Sequence, residues 1–369
     1  MIKIVQVVSD TNIGGAGRYL LNYLKHFDRN KYSVTVIIPE GSQLAPHIEK
    51  YEEVNLIFSP FMADKSYDKN CVKFLKKVFL NLSPDIIHTH ASLSARIAAR
   101  QAKTGKIVST RHCLESLSSG IKAKIIGFLN SRLTDVYVAV ADAVKENLEQ
   151  SEIPPEKIKT IYNGVEPLCS LSDEEKSALR SSVGINEDET VFGIFARLEP
   201  VKGHKYFIKA ARSLLKTGKK AKFIIAGEGS LEADLKKRTE TYGIEDNIIF
   251  TGFLEDTTEL LNIIDVNVLS SESEAMSLSI LEAMSLSKPT IATDVGGNSQ
   301  LVETGKTGIL VPPNDSTSLS EAMMSFIDNK KLYENCAAGA KTEYENKFTA
   351  QKMVANLEKL YQELYQTKK

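Results

Sequence analysis

The chain has 369 residues, 42% of them hydrophobic and 25% charged, with a formal net charge of −1. That composition fits an ordinary globular protein long enough for two domains, and it excludes a disordered, collagen-like or disulfide-framework chain. No apolar stretch approaches the roughly 20 residues of a membrane helix.

The N-terminal run MIKIVQVVSD leads directly into a strand and a glycine turn, without a small-residue cleavage site, so it is not read as a signal peptide. Apolar β-branched runs then alternate with helical patterns, which predicts βα units and parallel sheets. In the first half the expected strands are Ile2–Val8, Val34–Ile38, Val54–Phe58, Ile86–His90, Ile107–Thr110, Val136–Val140 and Ile158–Ile161. A loop and an acidic helix start, NGVEPLCSLSDEEKSALR, follow from Asn163 and place a domain boundary near residues 165–172. The second series comprises Val191–Phe195, Phe223–Ala226, Ile248–Phe250, Val266–Leu269, Thr290–Thr293 and Gly308–Val311. Residues 348–369 form a polar amphipathic helix whose apolar stripe is Met353, Leu357, Leu360 and Leu364. There is no repeat of 20–50 residues and no nucleic-acid-binding motif.

Cys71, Cys113, Cys169 and Cys336 are scattered without a CxxC, which indicates reduced thiols in a cytoplasmic protein. His88 and His90 alternate on one strand with no companions at ligand spacing, so structural roles outweigh metal binding. Charge is uneven: residues 1–168 carry 22 Lys+Arg against 17 Asp+Glu (+5), and the remainder 24 against 30 (−6). Within 65–132, thirteen basic residues stand against Asp68, Asp85 and Glu115 alone. Either these are solvated helix faces or they serve an anionic partner. Lys69, Lys73, Lys76 and Lys77 are spaced to form one basic helical face. In IKAKIIGFLNSRL, Ile121, Ile125, Phe128 and Leu129 form a stripe flanked by Lys122, Lys124 and Arg132, a pattern that suits an anionic membrane surface. The alternative is that Ile125 and Leu129 pack into the core.

Gly14 and Gly15 follow the first strand and precede a helix expected near Gly17. They allow either close approach of a phosphate or a tight turn without a ligand. GGAGR lacks the GxGxxG spacing of a dinucleotide fingerprint. The most informative pair is Glu274 and Glu282, eight residues apart and roughly 80° apart on an ideal helix. They fit one carboxylate in a loop and one on a short helix capped by Ser277 or Ser279. The helix N-terminus between them would face an anion, a layout matching an elongated ligand with hydroxyls at both ends and phosphate in the middle.

Glu274 with Glu282-Ala283-Met284 and KPTIATDVGG (Lys288 to Gly297) resembles the signature of family 4 retaining glycosyltransferases of the GT-B fold. So do IGGAGR (Ile13 to Arg18), DIIHTH, the NGV linker, ARLEPVKGH (Ala196 to His204) and IAGEG (Ile225 to Gly229), in order from residue 13 to 311. The resemblance implies an α/β chain with two Rossmann-like domains whose parallel sheets face a cleft. The first, residues 1–168 with 348–369 crossing back, would bind acceptor, and the second, 169–347, the donor. It implies sugar transfer from a nucleoside-diphosphate sugar, UDP-linked, to a sugar or lipid-linked acceptor hydroxyl with retention, in cell-surface polysaccharide or glycolipid synthesis. Arg197 and Lys202 would offset the charge growing on the leaving diphosphate, with no cofactor and no metal. Glu282 would accept from ribose hydroxyls and Glu274 from the transferred sugar. Ser277, Leu278 and Ser279 would line the donor, and His112 would contact the sugar. Gly227 and Gly229 would lie near the base, although backbone permissiveness explains them equally. The segment Gly296 to Asn298 would approach the sugar or phosphates. The chain departs from the family at Ala275-Met276-Ser277, where Gly-Phe-Gly is usual. Rival readings are a nucleotide-sugar epimerase on a similar scaffold and a non-catalytic sugar-nucleotide-binding protein.

Overall fold

A computed structural model describes residues 1–90, 92–117 and 120–367, with the side chains of Lys122 and Ala123 outside the described set. The chain divides into two compact units, Met1–Val165 with Ala350–Lys369, and Glu166–Thr349.

The first unit holds seven strands: β1 (Ile2–Val8), β2 (Tyr32–Pro39), β3 (Asn55–Ser59), β4 (Ile86–His90), β5 (Lys106–Arg111), β6 (Val136–Ala139) and β7 (Ile158–Thr160). They are all parallel in the order β3-β2-β1-β4-β5-β6-β7. The second holds β8 (Thr190–Phe195), β9 (Ala221–Ala226), β10 (Ile248–Gly252), β11 (Val266–Leu269), β12 (Thr290–Thr293) and β13 (Gly308–Val311). Its parallel order is β10-β9-β8-β11-β12-β13. Every expected strand exists, with ends moved by two residues or fewer, because sheets covered on both faces demand near-continuous Val/Ile/Phe runs.

Both orders contain the same reversal. In each unit two crossovers build outward, and the chain then returns to pair the next strand with the first: β4 with β1, and β11 with β8. Loops leaving neighbouring strands in opposite directions open a crevice at the carboxyl ends of those strands, where ligands bind in open α/β sheets.

One face of the first sheet packs Ile4, Val8, Ile86 and Val108 against helices Gly15–His26 and Ala350–Gln366. The other packs Val5, Val7, Ile87 and Ile107 against Lys69–Leu82 and Leu93–Ala102. The final helix belongs to the first unit because Met353, Leu357 and Leu360 bury in its core, with Leu364 partly buried beside them. Backbone N–H of Ala350 donates to Val165 C=O at 3.0 Å, and Glu358 accepts from the Asp28 N–H at 2.7 Å. The helix from Gly15 starts two residues before its expected position near Gly17.

Candidate active site

Lys202 ends a short 3-10 turn, Pro200–Lys202, after β8; Glu274 lies in the loop between β11 and the Leu278–Ser285 helix. These loops leave the two strands that flank the reversal. Lys202 Nζ stands 2.5 Å from Glu274 Oε1, and Ser271 Oγ donates to the same oxygen at 2.7 Å. Glu274 is 9% exposed, so this is a largely desolvated pair whose geometry is set by its surroundings.

The surroundings are specific. Gly203 adopts φ +66°, and a Cβ there would stand 2.0 Å from the Ser270 carbonyl oxygen, so only glycine lets the two loops meet. Ser270 Oγ donates to the Lys202 and Gly203 carbonyls, and Glu272 N–H donates to Val201 C=O. From β12, Thr293 Oγ1 donates to Ser271 C=O at 2.6 Å, and Gly297 N–H to Glu274 C=O at 3.3 Å. Three loops are thus stitched together around one ion pair, and the Gly296–Asn298 segment is tied to Glu274 through its backbone.

Glu282 rides the Leu278–Ser285 helix and is 8% exposed; Glu274 precedes the helix, as the eight-residue spacing implied. Both carboxylates are therefore buried rather than solvated. Ser277 occupies the N-cap position, yet its hydroxyl does not cap the helix; it lies 3.0 Å from the Ser279 hydroxyl. The backbone amides of Leu278 and Ser279 open the first turn. Met276, standing in the divergent Ala-Met-Ser stretch, is buried.

Arg197 follows β8 with its side chain exposed. Gly227 and Gly229 are explained within the protein: at φ +142° and +159°, a Cβ would stand 2.2 Å from the Ala196 oxygen and 2.6 Å from that of Leu198. The Gly227 N–H is committed to Gly252 C=O at 2.8 Å. Gly14 and Gly15 differ, because nothing lies within 4 Å of either missing Cβ. No packing among the described residues demands those two glycines.

In the first unit, His112 follows β5 and stacks on His90 with ring centroids 5.1 Å apart; His90 in turn stacks on His88 at 4.7 Å. Tyr19 meets the His112 ring edge-on at 5.2 Å. His90 Nδ1 lies 2.8 Å from His112 Nε2, and His112 Nδ1 has no hydrogen-bond partner among the described residues. Burial lowers the His112 pKa to about 3, and burial together with His112 lowers that of His88 to about 3. Burial first, then the neighbouring imidazoles, holds His90 well below the usual range. In the second unit, burial and then the Lys202 charge lower His204 to about 4. All four are neutral at pH 7. Among the described residues no three His, Cys, Asp or Glu side chains are arranged to hold a metal ion.

The family resemblance had singled out Lys202, Glu274 and His112 but not Ser271, Gly203, Gln6 or Tyr361. Gln6 did leave a trace, as a buried polar residue between valines in the strand IKIVQVV. Tyr361 left none, because its significance comes from a contact with residues more than 270 positions away.

Two parallel-stranded sheets, each reversing once, match the fold of the GT-B glycosyltransferases. The structure resembles that of Anabaena HepE in complex with UDP and glucose, with a TM-score of 0.85 at 22% identity over 98% of this chain and 99% of that one. The family model described as Glycosyltransferase Family 4 matches residues 13–167, and that for Glycosyl transferases group 1 matches residues 175–343. The chain belongs to the family 4 glycosyltransferases. It is 28% identical, over 98% of its length and 96% of the relative's, to the UDP-Gal:alpha-D-GlcNAc-diphosphoundecaprenol alpha-1,3-galactosyltransferase of Escherichia coli. It is 26% identical to the N-acetyl-alpha-D-glucosaminyl L-malate synthase of Bacillus anthracis, over 80% of this chain and 79% of that one. The epimerase and non-catalytic readings are not favoured.

Two outcomes follow from this geometry. Because four histidine pKa values are depressed, the unfolded chain binds more protons than the folded one below pH 6.5. Stability is therefore fully present above pH 6.5 and declines as pH falls toward 5, by up to about 1.4 kcal/mol per pH unit for each histidine. Urea midpoints at pH 7.5, 6.5 and 5.5 measure it, and an unchanged midpoint at pH 5.5 contradicts neutral burial. For the ion pair, Lys202→Ala and Glu274→Ala should each slow turnover on the order of 100-fold. The double variant should lose less than the product, with coupling of about 1 kcal/mol or more. Arg197→Ala combined with Glu274→Ala should be closer to additive. Strict additivity for Lys202 and Glu274 in turnover measurements argues against a working pair.

Proposed function

We propose that this glycosyltransferase moves a hexosyl or N-acetylhexosaminyl group from a UDP-sugar to a lipid-linked acceptor hydroxyl, with retained configuration, in cell-surface polysaccharide or glycolipid synthesis. The use of a nucleotide-sugar donor follows from the family. The donor assignment to the second unit is supported by the stitched loops. Lys202 has three N–H donors, one engaged by Glu274, and offers the others to phosphate. Arg197 adds a planar fork on the same loop, and the amides of Leu278 and Ser279 add a positive helix end. Glu282 receives ribose hydroxyls and Glu274 those of the sugar. In the first unit, Gly14 and Gly15 leave the backbone open to phosphate, and neutral His112 meets the transferred sugar. As the bond to the leaving diphosphate breaks, fixed cations meet the growing charge without reorganisation.

The acceptor class rests on one observation, the Gly120–Leu133 helix. Ile121 is 79% exposed, and Ile125, Ile126, Phe128 and Leu129 lie between 40% and 56%, so Ile125 and Leu129 do not pack into the core. Lys124 is exposed beside them, and Arg132 lies over the Phe128 ring at 5.0 Å. The Lys69–Leu82 helix, on the same side of the sheet, exposes Lys69, Lys73 and Lys77. Among the described residues no helix is long and apolar enough to cross a membrane. A short apolar face with basic neighbours instead suits a peripheral enzyme on the inner face of an anionic membrane, each nearby cation contributing ~1 kcal/mol. The named Escherichia coli relative acts on an undecaprenol-linked sugar, whereas the Bacillus anthracis one makes a malate glycoside; the exposed helix favours the lipid.

Activity should survive saturating EDTA, since Lys202, Arg197 and the helix amides carry the charge a divalent ion would otherwise meet. Loss in chelator with rescue by Mg²⁺ or Mn²⁺ overturns that reading. Co-sedimentation with vesicles containing phosphatidylglycerol should weaken with salt and with Lys124→Glu and Arg132→Glu. Absence of binding at low salt leaves a freely diffusing acceptor as the better reading.

A further inference from the structure

The buried groups behind His112 form a single hydrogen-bonded line. His90 Nε2 lies 3.1 Å from Gln6 Oε1, and Gln6 Nε2 donates to the Tyr361 hydroxyl at 2.9 Å. That hydroxyl is 2.5 Å from His88 Nδ1, and His88 Nε2 is 2.6 Å from Thr110 Oγ1. Gln6, His88, His90, Thr110 and Tyr361 are each 3% exposed or less, so water does not serve as an alternative partner. Sheet register explains the assembly. Gln6 pairs with His88 and His90 with Thr110, placing all four on the sheet face that the C-terminal helix covers, and Tyr361 reaches them from that helix.

A neutral imidazole has one N–H and one bare nitrogen. Gln6 Oε1 can only accept, so His90 carries its proton on Nε2 and presents a bare Nδ1. His112 must then donate from Nε2, which leaves its own Nδ1 as an acceptor with no partner among the described residues. Further along, Tyr361 accepts from Gln6 and spends its proton on His88 Nδ1, whose Nε2–H goes to Thr110. All five bonds point the same way, from His112 to Thr110. Turning the Gln6 amide over reverses every one and moves the His112 proton to Nδ1. Such chains polarise cooperatively, so their direction is decided jointly.

We propose that Tyr361 and Gln6 are positioning residues that lock His112 in its Nε2–H tautomer, so that Nδ1 accepts a hydroxyl proton from the sugar or acceptor. The inference rests on the reading of His112 as the sugar-contacting group. It gives the returning C-terminal helix a part in the chemistry beyond covering the core.

The test is ¹⁵N–¹H spectroscopy of histidine-labelled full-length protein, with His112 assigned by His112→Ala. The wild type should show His112 as the Nε2–H tautomer alone. Tyr361→Phe removes one oxygen and keeps the ring edge-on to Tyr23 at 6.1 Å; it should show both tautomers. Gln6→Met puts the same question from the middle of the line, and serves if the tyrosine variant does not fold. Nδ1–H in the wild type, or an unchanged single tautomer in both variants, overturns the relay. UDP release is then followed with UDP-galactose or UDP-N-acetylglucosamine, whichever raises the melting temperature. Tyr361→Phe should lower kcat/KM about fivefold to tenfold, and have no further effect in a His112→Ala background. An equal loss in that background marks Tyr361 as merely structural and overturns the proposal. Full activity of His112→Ala overturns instead the reading of His112 on which the proposal rests, while the spectra alone decide the relay.

Discussion

The constraint on which everything else depends is the reversal of strand order, once in each sheet. Right-handed crossovers force successive parallel strands to build outward on one side until the chain returns to the first strand and builds the other way. Between β1 and β4, and between β8 and β11, adjacent loops therefore diverge, and polar groups at the strand ends escape being covered by a crossover. Lys202 and Glu274 occupy loops flanking one reversal. The glycine turn after β1 and His90 at the end of β4 occupy the other.

Divergent loops would be mobile unless something held them, and here the backbone does. A serine hydroxyl shared by two carbonyls, a glycine that admits a carbonyl at contact distance, and a threonine from the next strand fasten the Lys202 and Glu274 loops. This matters because a buried charge pair returns its desolvation cost only when its geometry is good and its remaining lone pairs are satisfied. Ser271, on the same carboxylate oxygen as Lys202, supplies part of that satisfaction. The result is a cation and a carboxylate held in fixed geometry by the backbone around them.

The first unit solves a different problem, a stack of three imidazoles of which His88 and His90 are fully buried and His112 partly so. Neutrality is the outcome of burial, and neutrality requires each ring to donate from one nitrogen and accept at the other. That demand recruits an amide from β1, a hydroxyl from β5 and a phenol from the last helix. On its other flank the unit leaves the Gly120–Leu133 helix with five large apolar side chains uncovered, which is costly in water. One domain thus combines a dry polar interior beneath its histidine with an apolar exterior.

The sequence by itself determined the strands, because a doubly covered parallel sheet needs continuous β-branched runs and those are local in the chain. It also placed Glu274 in a loop and Glu282 on a short helix, because Ser277 and Ser279 between them read as a helix start. The returning helix was legible as an apolar stripe through Met353, Leu357 and Leu360. Other features were decided only in three dimensions. That Lys202 pairs with Glu274 depends on β8 and β11 becoming neighbours, which no local pattern encodes. Gly227 and Gly229 read equally well as ligand turns or packing turns until the Ala196 and Leu198 carbonyls were found against them. His88 and His90 carried no signal of their partners, because Gln6 and Tyr361 lie 82 and 273 positions from His88 along the chain, brought together only by sheet register and helix packing. Periodicity reports which face of an element is buried; what it is buried against is a property of the assembled fold.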